Sequence, residues 1–524
     1  MSGKMNTDRK SNEKIPKNEA GEDFYKLRKE WLAKKTDEND TTNLFVDLSF
    51  PAQDSSLFPN GIPNDKKKFP EKIVWKRPWQ IVKNPQFFVD GISRFDAQQR
   101  AFDNCWVIAS LPILTTNPKL FYQVVPEDQS FQENYAGIFH FRFWHYGKWV
   151  EIMIDDFLPT DSRGLLCSRS PETNEFWISL VVKAYAKLYG SWEALEDGRA
   201  SEALEDFTGG LALFYPLDET SQLSFDTLLK AHENHALMVC GSKCFERKKK
   251  SCGGFYKSIW PQHGYSITGV VNYKGQQLLR MRNPWGDHRE WSGPFGDKDA
   301  VWTVDADMRK ALDFKPDADG EFFIPYEMVP QYFARIEICH LPFLGEGNEN
   351  RKSKVFEGKW IRRTQALEST NYLDAASKIL SQNTQYRITL KNPDTEEGKC
   401  AVIVALMQKN RRIKRATDLT VGLEIYHLRY PNKLPEPLTA NFFKKNQPIS
   451  GSGAGAPLRE VYNLFKLKPG TYCIIPCIYN LEGEEYELST NEEEEFLLRV
   501  FFGNIPNVNE ALMTSNLAPR RKYE

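Results

Sequence analysis

Cys105 and Trp106 open a run, Cys105-Trp106-Val107-Ile108-Ala109-Ser110-Leu111, that is apolar nearly all round and follows Asp103-Asn104, residue types that cap helices. The pattern predicts a buried helix with a thiol in its first turn, where the helix N-terminal dipole favours thiolate, the nucleophilic form. A thiol alone is as often packing as chemistry, because cysteine is among the most buried residue types. Partners for it come later in the chain. His263 opens a strand-like segment, His263-Gly264-Tyr265-Ser266-Ile267-Thr268, and Asn283 closes the next one within Arg282-Asn283-Pro284-Trp285-Gly286. An Asn272-Tyr273-Lys274-Gly275 turn joins the two segments, so a hairpin sets imidazole beside carboxamide. That completes a group in which Cys attacks, His exchanges the proton and Asn orients the ring.

The elements that must position this group fit a multidomain chain. At 524 residues the length suggests roughly three domains. The 69 basic and 70 acidic side chains leave a net charge of −1, which excludes a whole-surface field built for nucleic acid or membrane. No run approaches the ~20 apolar residues of a bilayer helix. The amino terminus lacks an apolar secretion signal, and an odd count of scattered cysteines fits reduced thiols; both point to the cytoplasm. Phe24, Leu27 and Trp31 recur at helical spacing over about 22–35, and Phe176 to Leu188 reads as a second helix. The stretch 50–96 reads as loops. From about Val355 onward, separated strand-like segments such as Ala401 to Leu406, Val421 to Tyr426 and Phe496 to Phe501 predict an antiparallel β-sandwich.

Taken together, these residues resemble the calpains. The match includes Ile73-Val74-Trp75-Lys76-Arg77-Pro78, Asp90-Gly91 with Arg94 and Asp96, Gln99 upstream of Cys105-Trp106, Asp206-Phe207-Thr208-Gly209-Gly210, and the His263 and Asn283 segments. The resemblance implies an α+β fold, a two-lobed papain-like calpain protease core followed by the β-sandwich. It divides the chain into a charged amino-terminal segment (1–43), a nucleophile lobe (44–209), a His/Asn lobe (210–345), the sandwich (346–506) and a tail (507–524). The implied activity is that of a calcium-dependent intracellular cysteine endopeptidase making limited cuts in proteins. Gln99 and the Cys105 N–H would form the oxyanion hole, Gly198 would bind substrate backbone, and Trp285 would hold the lobes apart without calcium. Implied Ca²⁺ ligands are the carbonyls of Val89 and Gly91 with Asp96 and Glu175 in the first lobe, and Glu290, Asp297, Asp319 and Glu321 in the second. Arg94 would reach Glu321 and couple the two sites. The basic run Arg411-Arg412-Ile413-Lys414-Arg415 suggests weak phospholipid contact, although a solvated face explains it as well. The chain ends at Glu524 without a calcium-binding helical domain, so no small-subunit heterodimer is expected.

Five positions depart from the family pattern. Asp103-Asn104 replaces Gly-Asp, Arg100 replaces a glycine, Gln262 replaces a substrate-binding glycine, and Pro112 predicts a kink one turn past the nucleophile. A carboxylate at 103 also opposes thiolate formation at Cys105. The alternative reading is a weak or inactive calcium-responsive scaffold. A transglutaminase, which also sets Cys-Trp at a helix start, would orient its histidine with aspartate, whereas here Asn283 supplies an amide. A zinc site from His235, Cys240, Cys244 and Cys252 fits no standard ligand spacing.

Overall fold

A computed structural model describes residues 20–503 apart from 38–39, 62, 64–68, 70–71, 219–222, 245–257, 342–351, 361–371, 396, 453–454 and 480–492. The tail 507–524, Cys252 and most of the charged amino-terminal segment lie outside the described residues. Among the described residues no helix is long and apolar enough to cross a membrane.

The amphipathic helix expected near residue 22 is α1 (Ala20–Leu32), and it docks rather than frays. Phe24 is fully buried, with its ring stacked 3.6 Å from that of His140. The nucleophile helix, α2 (Cys105–Thr115), is buried from Trp106 to its end, which is why its sequence shows no polar stripe. It runs on through Pro112. Tertiary packing on every side holds a helix that loses one backbone donor. Around it lie α3 (Trp177–Tyr189), α4 (Ala200–Thr208) and the hairpin β1 (Ile138–His145) with β2 (Lys148–Asp155), forming one apolar core.

A second core belongs to a six-stranded antiparallel sheet. Its strands are β3 (Leu211–Pro216), β4 (Leu237–Ser242), β5 (Gly264–Tyr273), β6 (Gln276–Arg282), β7 (Glu321–Pro325) and β8 (Phe333–His340), in the order β7-β6-β5-β4-β8-β3. The hairpin read from the sequence is β5–β6. Its Lys274 and Gly275 both take positive φ, 49° and 89°, the left-handed pair of a tight hairpin turn.

The third unit is the expected sandwich of two four-stranded antiparallel sheets. Strands β9 (Lys352–Trp360), β16 (Glu494–Phe502), β11 (Cys400–Gln408) and β14 (Glu460–Leu467) lie side by side in one. The other runs β10 (Tyr386–Leu390), β15 (Gly470–Ile478), β12 (Val421–His427) and β13 (Ser450–Gly451). The sandwich is fastened to the protease lobes by buried charges. Arg459 bonds Asp206 at 2.9 Å and Glu205 at 2.5 Å, and Arg499 pairs with Glu460 while reaching the Gly210 carbonyl at 2.9 Å. Part of the basic run turns to the same interface, Arg412 pairing with Glu202 and Arg415 with Glu193, while Arg411 and Lys414 pair with Glu494 inside the sandwich. An approaching anionic surface would have to compete with these internal carboxylates.

Candidate active site

Cys105 is half-buried at the head of α2 and lines a cleft of about 1420 Å³ together with Gln99, Gly198, His263 and Trp285. Strand β5 packs directly on the helix: Ser266 Oγ donates to the Ala109 carbonyl at 2.6 Å, and a Cβ added at Gly264 would lie 3.7 Å from the Cys105 carbonyl oxygen. The hairpin therefore brings His263 and Asn283 to the thiol. His263 Nε2 lies 3.0 Å from Asn283 Oδ1, both side chains being buried. The Asn283 amide is fixed in turn, donating from Nδ2 to the Arg289 carbonyl at 2.9 Å and accepting at Oδ1 from the Trp285 N–H at 3.1 Å.

Burial lowers the His263 pKa to about 4 against the opposing pull of Asn283. Burial also raises the Cys105 pKa, Asp103 pushes the same way, and the backbone N–H groups of Gly264 and Trp106 oppose it. Desolvation thus opposes the charge expected on the thiol at the helix terminus, and opposes charge on the imidazole as well. Trp285 packs beside the imidazole. Its ring lies 4.8 Å from His263 and 4.6 Å from Trp260, with the Arg289 guanidinium 3.9 Å above it, and it shields the imidazole from water.

Gln99 Nε2 donates to the Phe102 carbonyl at 2.8 Å, and the amide carries a second N–H for the cleft. Gly198 has a packing role: a Cβ there would stand 2.2 Å from the Trp106 indole. Of the departures, Arg100 keeps an ordinary backbone with its N–H on the Cys167 carbonyl at 3.2 Å, so glycine is not required there. Gln262 does occupy glycine's territory, at φ 50°. Asn104 is fully buried, and neither of its amide atoms has a hydrogen-bond partner.

The lobes are clasped by contacts that sequence spacing did not reveal. Arg282, buried at the end of β6, donates to the Ala97 and Phe95 carbonyls at 2.9 and 3.0 Å. Gln99 N–H bonds the Pro284 carbonyl at 2.8 Å, and Gln98 Nε2 bonds the Gly286 carbonyl at 2.9 Å. Arg94 grips Glu321 with two bonds of 2.7 and 2.9 Å, as the resemblance implied.

The calcium candidates fall in two groups. Glu175 accepts from the Val89 N–H at 2.7 Å and from Ser170 Oγ at 2.7 Å, beside the left-handed turn at Asp90-Gly91. Burial and the neighbouring Asp96 raise Glu175 to about 7, and burial raises Asp96 to about 6. In the second group, burial and mutual repulsion raise Glu290 to about 8 and Asp297 to about 7, and push Asp319 up. Asp297 Oδ1 is buried without a partner. Among the described residues no three His, Cys, Asp or Glu side chains close to metal-binding distance. Crowded carboxylates and an orphaned oxygen nonetheless suit a hard, oxygen-seeking cation. Glu321 differs: Arg94, Arg280 and Thr268 hold its carboxyl low, so its side chain serves as the anchor of the clasp.

The comparisons with known proteins agree with this architecture. Residues 45–340 match the model of the calpain family cysteine protease, and 356–501 match domain III of the calpain large subunit. Calpain-B of Drosophila melanogaster is 40% identical over 511 residues, 93% of this chain and 52% of that protein. Calpain-A of the same fly is 41% identical over 491 residues, 89% of this chain and 56% of that one. The Calpain-1 catalytic subunit of Bos taurus is 37% identical over 507 residues, 92% of this chain and 67% of that one. A solved lysozyme inhibitor of Aeromonas hydrophila, at 9% identity and a TM-score of 0.15, carries no argument. The fold and family matches make this an α+β protein of the cysteine-protease class. The chain belongs to the calpain family, and it spans a little over half the length of the two fly proteins.

Proposed function

We propose that this chain is a calcium-dependent intracellular endopeptidase that makes limited cuts in proteins, with Cys105 as nucleophile, His263 as proton carrier and Asn283 as its orienting partner. The observation that carries the reading is the 3.0 Å contact of His263 Nε2 with Asn283 Oδ1 beside the thiol. An amide oxygen only accepts, so Nε2 carries the proton and Nδ1 is the nitrogen left to take one from Cys105. Nδ1 takes the thiol proton, and sulfur attacks the peptide carbonyl carbon. The imidazolium then protonates the leaving amine as the C–N bond breaks, and water hydrolyses the thioester. The Cys105 N–H, unpaired in the first turn of α2, and the second Gln99 N–H would hold the oxyanion, each worth about 3 kcal/mol.

Val89, Gly91, Asp96 and Glu175 would hold one calcium ion, and Glu290, Asp297 and Asp319 with the Glu321 segment a second. Bound calcium supplies positive charge that relieves the repulsion among these carboxylates. Arg94, Arg282, Gln98 and Gln99 then keep the two lobes in register. The test is cleavage of a casein-like unfolded protein with and without calcium, comparing the chain with Cys105→Ala. Calcium-switched proteolysis abolished by the substitution is the expected result. A second reading, a calcium-responsive scaffold, is favoured by Gln262 at φ 50° and by the Asp103 charge beside Cys105. Calcium-dependent closure without labelling of Cys105 by a thiol-directed epoxide would select it.

A further inference from the structure

The cleft that holds Cys105 also holds an unanswered guanidinium. Arg100 lines it immediately after Gln99, and its backbone is fixed to Cys167. Among the described residues its side chain has no hydrogen-bond, ion-pair or ring partner. Arg169 stands close by, held only by the neutral Gln98 Oε1 at 3.0 Å, while Arg163 is paired with Asp161. Three guanidiniums thus share one carboxylate, and burial together with the two neighbouring arginines lowers the Arg100 pKa. A partly buried cation without an acceptor is unfavourable until an anion arrives. Elsewhere the cleft is of mixed charge, and of its other arginines Arg335, Arg411, Arg412, Arg415 and Arg459 are each paired with a carboxylate of the chain. An anionic side chain entering the cleft meets in Arg100 a guanidinium that, among the described residues, no carboxylate has already taken.

We propose that Arg100, backed by Arg169, determines specificity by taking the carboxylate of an Asp or Glu side chain on an extended peptide lying in the cleft. Because Arg100 adjoins Gln99, the acidic residue served lies close to the scissile bond, and its capture sets the register of the peptide. A guanidinium fork matches a carboxylate in two parallel hydrogen bonds, which a glutamine side chain cannot reproduce. The inference rests on the protease reading for its ligand class.

The experiment therefore separates binding from cleavage. The full chain carrying Cys105→Ala, with calcium present, is titrated into fluorescently labelled short peptides that differ only in having Glu or Gln at each position in turn. The expected result is one position at which Glu binds about tenfold tighter than Gln. Arg100→Met should bring that ratio near one, Arg169→Met should reduce it, and Arg100→Glu should make Lys the better residue there. Absence of any preferred position, absence of peptide binding, or a preference that survives Arg100→Met overturns the proposal. If the native chain cuts none of these peptides while the Cys105→Ala form shows the Arg100-dependent preference, the endopeptidase reading fails and this one stands.

Discussion

Replacing Gly198 by alanine separates packing from substrate binding at the cleft wall. An added Cβ would lie 2.2 Å from Trp106 Cε2 and 2.6 Å from Cδ2 and Cζ2, well inside contact distance. The indole has nowhere to retreat. It is 2% exposed, its Nε1 donates to the Leu195 carbonyl at 2.7 Å, and the Arg412 guanidinium covers it at 4.7 Å. The neighbouring Asp197 is already at φ 51°, so the backbone has little freedom to give way. Overpacking of this kind costs about 1–3 kcal/mol. Loss of the indole hydrogen bond adds about 1 kcal/mol. Gly198→Ala should therefore destabilise the chain by about 2–4 kcal/mol, measured by urea unfolding, and slow epoxide labelling of Cys105, which adjoins the displaced ring. Trp106→Phe removes the atoms that clash, so the double variant should be more stable than the sum of the single effects by about 1 kcal/mol or more. A Gly198→Ala chain of unchanged stability and labelling rate, with only KM raised on peptide substrates, would refute the packing argument and return the glycine to substrate binding.

Gln262→Gly removes a side chain from a left-handed position and should raise stability by about 1 kcal/mol, seen as a higher melting temperature. Acidification should act through His145, His263 and His340, all pushed down to about 4 by burial. Between the unfolded value near 6.5 and about 4 the unfolded chain binds more protons, so their contribution to stability falls as pH drops through that window. In His263→Ala the slope of stability against pH there should be shallower than in the native chain. The raised carboxylates work in the opposite sense: Glu290, at about 8, binds its proton more tightly folded than unfolded, and so weakens the fold as pH rises from about 4.5 to 8. Without calcium at pH 7.5, Glu290→Gln should thus melt higher than the native chain; with calcium it should gain less, and an unchanged calcium-induced gain would count against Glu290 as a ligand.

What sequence made legible was local or patterned. The nucleophile helix showed as an apolar run, β5–β6 as two alternating segments with an Asn-Tyr-Lys-Gly turn, and the sandwich as spaced strands. At Pro112 propensity yields to packing, and the helix, buried on all sides there, continues through it. A helix terminus, which favours thiolate, is visible in sequence, whereas the desolvation that opposes it at Cys105 is not. The Arg282 clasp was invisible for a different reason: its acceptors are the Phe95 and Ala97 carbonyls, and backbone oxygens carry no sequence signature. Gly198 stood in the right cleft, yet its contact with Trp106 depends on a loop path that no residue pattern encodes.

Arg282 and Asn283 are consecutive, one holding the first lobe and the other holding the imidazole. Parting the lobes would break the Arg282 contacts and carry Asn283 and His263 together away from Cys105, leaving no state with the lobes parted and the triad intact. On the proposed function, proteolysis would then behave as a two-position equilibrium, with a background level without calcium set by how strongly the clasp favours the joined position. Each ~1.4 kcal/mol removed from the clasp should lower that background about tenfold without altering the chemistry of a single bond.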